Sequence, residues 1–320
     1  MNAVLATLVP SVARRGADPS GAPARGSRAR RLAPAGLVIA LVVIVLALAW
    51  ALFPSVFAPG DPTAQTAKAL QAPSLAHWFG TDSVGRDVYT RVVHGASESV
   101  LAALVAVAVG FIVGGAIGIV AGARPGWLDD VLMRLVDVLL AIPALLLSLS
   151  VVILLGFGTT NAALAVGITS IAVFARLARS QVVAVRVQDY IEAAYGSGGT
   201  FWRVLARHVV PNALTPIVAL VALQFGAAIL QISTLGFLGY GAPPPTPEWG
   251  LLIAEGRNYV ATAWWLTVLP GLVVVAVVLS TNRLSEALRD GTVGRALGRL
   301  RPGRPASVPA SIDSSRKDAS

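Results

Sequence analysis

Six apolar runs separated by polar connections set the pattern of this chain. They are Leu37–Phe53, Ser99–Ala121, about Val131–Leu155, about Ala162–Leu177, about Ala213–Leu235 and about Ala263–Leu279. Each is near the roughly 17–25 apolar residues that a helix needs to cross a bilayer. The pattern therefore predicts an all-α integral membrane protein with about six transmembrane helices. Pro143 lies inside the third run and predicts a kink there. Gly114 and Gly118 in the second have the GxxxG spacing that lets two helix backbones approach closely; ordinary glycine in a membrane helix is the other reading.

The connections divide the chain. Residues 1–36 are rich in Ala, Arg, Pro, Gly and Ser without apolar periodicity, and are expected to be a disordered basic tail. Residues 37–53 form the first span. Its bulky exit, Trp50-Ala51-Leu52-Phe53, and the long tail before it favour a retained anchor over a cleaved signal peptide. Residues 54–98 are a polar segment with turn-forming prolines, expected on the outer face. Residues 99–283 hold the other five spans, a polar loop at 186–211 and a Pro-rich segment at 236–262 that cannot be one regular helix. Residues 284–320 are a second basic tail, expected to be disordered from about 293.

The loop at 186–211 is folded rather than merely polar. It reads as a short helix, Tyr190–Tyr195, a glycine break at Gly196, Gly198 and Gly199, then a second helix, Phe201–Val210, ending at Pro211. Ala193 and Ala194 leave a flat face that can seat in a groove, and Arg203 and Arg207, four apart, share one side of the second helix. A push on such a loop should move the span that follows it. An amphipathic helix lying on lipid is the alternative reading.

Composition agrees with the membrane reading. The chain is 55% hydrophobic and 13% charged, with mean hydropathy +0.73, where a soluble domain has about 25% charged residues. The net charge of +9 is explained by topology. With both termini cytoplasmic, every one of the 25 Lys and Arg falls inside except Lys68, Arg86, Arg91 and Arg257. Nucleic-acid binding is then not needed to account for the charge.

Energy-coupling chemistry is missing from the chain itself. There is no GxxxxGK[ST] loop, and its two lysines, Lys68 and Lys317, follow nothing like one. The pairs Gly156/Gly158 and Gly239/Gly241 read as turns. His77, His94 and His208 are too dispersed for a metal site, and there is no cysteine. Arg134 and Asp137 share a face near the inner end of the third span and read as a snorkelling pair or a polar contact on a path. Spans four to six are expected to lack midplane ionisable groups, which disfavours an ion-coupled carrier. That carrier nevertheless stands as the alternative, ahead of a membrane scaffold or a membrane enzyme.

Several blocks, in order, resemble one family. Glu192, Ala193, Ala194, Gly198 and Pro211 stand at the spacing of the EAA coupling motif of bacterial ABC importer permeases. Arg207-His208-Val209-Val210-Pro211-Asn212 is similar to the form found in the oligopeptide/dipeptide/nickel family. Phe79-Gly80-Thr81-Asp82-Ser83-Val84-Gly85-Arg86-Asp87 resembles the FGTDxxGRD segment of its C-type subunit. Leu235–Gly241 with Pro243–Gly250 resembles a further block, with Gly236 and Glu248 standing where that block has serines. Trp264-Trp265, Pro270-Gly271 and Leu288-Arg289-Asp290 continue the likeness.

The resemblance, over about residues 37–292, implies a type I ABC importer permease fold in the cytoplasmic (inner) membrane. It implies a homologous second permease, two ABC ATPase subunits that use ATP and Mg, and an extracytoplasmic solute-binding protein, with no cofactor held by this chain. The implied cargo is a di- or oligopeptide, or a related solute such as nickel. Glu192, Ala193, Ala194, Gly198 and Pro211, with Arg203 and Arg207, would serve ATPase coupling. Gly80, Asp82, Gly85, Arg86 and Asp87 would hold an outer loop or meet the binding protein.

Overall fold

The computed structural model describes residues 26–65 and 67–289, with side chains from residue 35 onward. The disorder expected for residues 1–25 and from about 293 falls outside the described residues. Helix α1 (Gly26–Leu52) is followed by one turn, α2 (Pro54–Phe57). After a looped segment come α3 (Val88–Ala123), α4 (Trp127–Ala141), α5 (Ala144–Leu155) and α6 (Thr159–Arg186). The short α7 (Asp189–Gly196), the long α8 (Phe201–Phe237), the short α9 (Trp249–Gly256) and α10 (Trp265–Arg289) complete the chain. Five of these helices are long and apolar enough to cross a membrane, or six if α4 and α5 count as one broken span.

Four expectations need correction. Residues 26–36, assigned to the tail, are the first turns of α1. A span supplies the nucleus, and extending a helix through Ala- and Arg-rich sequence is far easier than starting one. Second, α3 starts at Val88, well before Ser99. Asp87 caps it by accepting from the Thr90 N–H at 2.8 Å, and the extra turns bury Val88, Arg91, Val92 and Val93. Third, Pro143 does more than kink the third span: α4 and α5 meet at 93°. Proline forces Ile142 into an extended conformation, φ −89° and ψ 130°, which ends α4, while Pro143 opens α5. Fourth, α6 continues to Arg186, so Arg176 lies within the span and not at its end.

The core is built from small side chains. Gly110, Gly114, Gly118 and Gly122 line one face of α3, and a Cβ at each would run into α6, at Ser170, Ile171, Ala175 and Val182. Buried Ala162, Ala163, Ala165 and Ala175 give α6 a matching flat side. In lipid, where apolar burial gives little advantage, such close backbone packing is what holds helices together. The seam settles the GxxxG question in favour of packing. It includes a π-helical turn at Gly110–Gly114, where a local widening of the helix meets Phe111 packed edge-on against Phe174.

Helix directions alternate. Ser97 of α3 donates to the Ala51 carbonyl of α1, and the Gly158 N–H at the start of α6 donates to the Tyr240 carbonyl beyond α8. These contacts, with the segments 54–87 and 238–264, mark one face. The loop carrying α7 lies at the other, together with the Gly26 end of α1 and the Arg289 end of α10.

Candidate functional site

On that second face the chain leaves α6 at Arg186, forms α7, turns, and enters α8. Ile191 is the one buried residue of α7. It sits in a small separate core with Ala123, Val182, Val204, Leu205, Val209 and Ala213. Glu192 and Ala193 point away from this core and are exposed, and Ala194 packs along its edge. The turn after α7 is tight. The Gly199 N–H donates to the Ala194 carbonyl at 3.1 Å, and Gly198 adopts φ +85°, the left-handed region that glycine occupies without steric cost. Nothing packs over Gly198, so Glu192, Ala193, Ala194 and Gly198 form one accessible elbow.

The elbow is braced from two sides. The Arg124 guanidinium at the end of α3 stands over the rings of Phe201 and Trp202, 5.1 and 5.4 Å from their centroids. Arg186 donates to the Gly122 carbonyl at 2.8 Å. Between the braces lies a cavity of about 480 Å³ lined by Arg186, Gln188, Ile191, Glu192, Tyr195 and Phe201. Arg203 and Arg207 are exposed on the first turns of α8.

Pro211 was expected to end the second helix of the loop, and it does not. Helix runs without interruption from Phe201 to Phe237, 37 residues, or roughly 55 Å at 1.5 Å per residue. A π-helical turn at Leu205–Val209 precedes the proline. An α-helical Pro211 would collide with the Arg207 carbonyl and leave a hydrogen bond unmade; the wider turn accommodates both. The second helix of the loop and the fifth span are thus one continuous helix, with a further proline, Pro216, inside it.

The outer motif lies at the opposite face and is internally committed. Asp82 accepts from Arg86 Nε at 2.5 Å and from Arg91 at 3.0 Å, and Arg91 also donates to Glu255 of α9 at 2.5 Å. Arg91 is 1% exposed. Asp87 caps α3 and receives His77 Nδ1 at 2.8 Å. Gly80 and Gly85 have φ of +73° and +84°, and a side chain at either would strike the backbone of Gln71 or Ala67. Arg91 and Glu255 went unnoticed in the sequence because their interaction spans 164 positions.

Glu248 was another surprise. It is fully buried and caps α9, accepting from Gly250 N, Leu251 N and the Ser99 hydroxyl at 2.8, 2.9 and 3.4 Å. A Cβ at Gly236 would overlap its Oε2. The two positions where the resembled block has serines are therefore in contact. Trp249 beside it is also buried, its indole N–H donating to the Val92 carbonyl at 3.0 Å.

Residues 114–292, more than half of the chain, match the family model described as "Binding-protein-dependent transport system inner membrane component". The chain belongs to this family. The permease is 40% identical over 254 residues to the probable D,D-dipeptide transport system permease protein DdpC of Escherichia coli K12, covering 79% of this chain and 85% of that one. It is 39% identical to the dipeptide transport system permease protein DppC of Alkalihalophilus pseudofirmus, covering 81% and 84%. Its fold matches that of the MetNI methionine ABC transporter in an inward-facing crystal form, with a TM-score of 0.50 at 19% identity, over 62% of this permease and 96% of that chain. The permease is a multi-pass membrane protein of ABC importers, a transporter subunit and not a catalyst.

Proposed function

We propose that this permease carries di- or oligopeptides across the cytoplasmic membrane, driven by separate ATPase subunits that dock on residues 189–211. The substrate class rests on the dipeptide permeases it resembles at about 40% identity. In this reading a homologous second permease completes the path, an extracytoplasmic binding protein delivers cargo, and both termini are cytoplasmic. ATP and Mg belong to the partner subunits.

The observation that carries the coupling assignment is the continuity of α8. Glu192, Ala193, Ala194 and Gly198 offer a small, accessible elbow, and α8 starts within a few residues of it and runs through the span. A displacement passed from the elbow to the start of α8 enters a helix that continues without interruption through the span. The exposed carboxylate of Glu192 suits a basic groove, the alanines allow close approach, and Arg203 and Arg207 flank the contact. At the other face, the outer motif residues Gly80, Asp82, Gly85, Arg86 and Asp87 serve to shape the loop rather than to bind, since their polar atoms are engaged with one another, with α9 and with α3.

The test is recovery of the complex in mild detergent with the tagged permease and with Glu192→Lys. The native chain is expected to bring down a nucleotide-binding subunit and a second permease. Charge reversal on the docking face is expected to lower ATPase recovery about tenfold while the second permease stays bound. A folded native chain that retains no ATPase under conditions preserving such complexes overturns the coupling assignment.

A further inference from the structure

Helices α4 and α6 are joined by two ion pairs of different character. Nearer the coupling face, Asp129 receives a two-pronged contact from Arg179, at 2.6 and 2.7 Å, and the Asp129 side chain is buried. Deeper in, Asp137 pairs with Arg176. The sequence had suggested Arg134 as its neighbour, but the partner comes from the facing helix. Here both side chains remain more than half exposed, 57% for Arg176 and 56% for Asp137.

Depth makes that exposure meaningful. Asp137 is ten residues into α4 from Trp127, and Arg176 is ten residues from the Arg186 end of α6. Both counts place the pair about 15 Å from the coupling-face ends of these helices, within the long apolar stretch of α6. Ionisable side chains within a span are rare; they face protein or a water-filled cavity far more often than lipid, and mark solute pathways. Arg134, also exposed, stands one turn from Asp137 and leaves the cluster with one net positive charge.

We infer that Asp137 and Arg176 line the translocation path and recognise the charged ends of a zwitterionic peptide. The Arg176 guanidinium, supported by Arg134, takes the terminal carboxylate, and the Asp137 carboxylate takes the terminal ammonium. With the path empty, the two side chains satisfy each other, so neither charge is stranded between transport cycles. The inference rests on the peptide-importer reading and adds to it a contact site in the permease itself.

The chain contains no cysteine, which permits a direct test in the assembled transporter in sealed membranes. Asp137→Cys and Arg176→Cys are treated separately with a cationic and an anionic water-soluble thiosulfonate. Removing Asp137 leaves the arginines, so the anionic reagent should react about tenfold faster; removing Arg176 should shift the preference toward the cationic reagent. Millimolar alanyl-alanine should slow labelling at both positions. Absent labelling, equal charge preference at the two positions, or no protection by the dipeptide overturns the inference. ATPase recovery is scored in the same preparations, so failure of the importer reading appears separately as loss of that subunit from the native complex. If a cysteine variant does not assemble, the double variant D137R/R176D, which preserves the pair, carries the test. Dipeptide uptake should fall about tenfold with assembly intact, and native uptake by that variant overturns the proposal.

Discussion

Glu248 shows how much one side chain can be asked to do. Burial pushes its pKa from an ordinary 4.5 up to about 7; the Gly250 and Leu251 N–H groups and the Ser99 hydroxyl pull it back down, and the nearby Glu98 charge adds a small upward push. The residue lies between α8 and α10, outside the spans. Because the folded state binds this proton more tightly than the unfolded chain, the contribution of Glu248 to stability is fully present below about pH 4.5 and is lost as pH rises to about 7. The full effect is about 3 kcal/mol. Thermal unfolding of the detergent-purified permease should therefore give a higher midpoint at pH 5 than at pH 8, and Glu248→Gln should flatten that dependence. A native midpoint that rises with pH contradicts the assignment.

The contact between Glu248 and Gly236 makes a second prediction at the same scale. Gly236→Ser places atoms where the carboxylate sits and should cost about 1–3 kcal/mol. Glu248→Ser vacates the space, so the double variant should be more stable than the sum of the single effects predicts, by about 1 kcal/mol. Additive losses in unfolding midpoints would show that the two positions do not share the space.

Among the elements, the glycine seam of α3 separates packing from flexibility. Gly118 abuts the Ala175 backbone, whereas Gly115, three residues earlier on the same helix, has nothing within 4 Å of where its Cβ would be. Gly118→Ala should destabilise the permease by about 1–3 kcal/mol, because a carbonyl of α6 has no room to yield. Gly115→Ala should be neutral or slightly stabilising, by up to about 1 kcal/mol, since alanine is the better helix former. Equal unfolding midpoints for the two variants would remove the seam from the account of stability.

Elements also show what the chain discloses before folding. Apolar length announced every span, and Gly198 announced the turn of the coupling loop, because both are local properties. The ends of the helices were less legible. The early start of α3 depends on Arg91 finding Asp82 and Glu255, and the latter belongs to a helix that lies far along the chain. Pro211 looked like a terminator by local rules, and only the π-helical turn before it explains why α8 continues. Pro143 misled in the opposite direction, since the size of a break depends on what the two half-helices pack against. The coupling residues were visible as a motif, whereas the Asp137–Arg176 pair required knowing that α6 runs ten residues past Arg176.

At the scale of the molecule, orientation is the property on which every functional assignment depends. Alternating helix directions put the described ends of α1 and α10 on the face that carries α7; among the described residues Arg124, Arg179, Arg186, Arg203, Arg207, Arg283 and Arg289 lie toward that face, against Lys68, Arg86, Arg91 and Arg257 toward the other. Basic residues near span ends resist translocation, so this face should be cytoplasmic. ATPase subunits could not reach α7 in the opposite orientation. Leu75, 97% exposed in the segment before α3, supplies a marker for the other side. Alkaline phosphatase requires disulfides, which form only outside the reducing cytoplasm. Inserted at Leu75 it should be active, and fused after Ser320 it should be inactive, while a fluorescent protein fused after Ser320 should mature and fluoresce. The reverse pattern would place Glu192 and Gly198 outside the cell, and with them would go the docking surface, the direction of transport and the inward face from which the Asp137–Arg176 pair is measured.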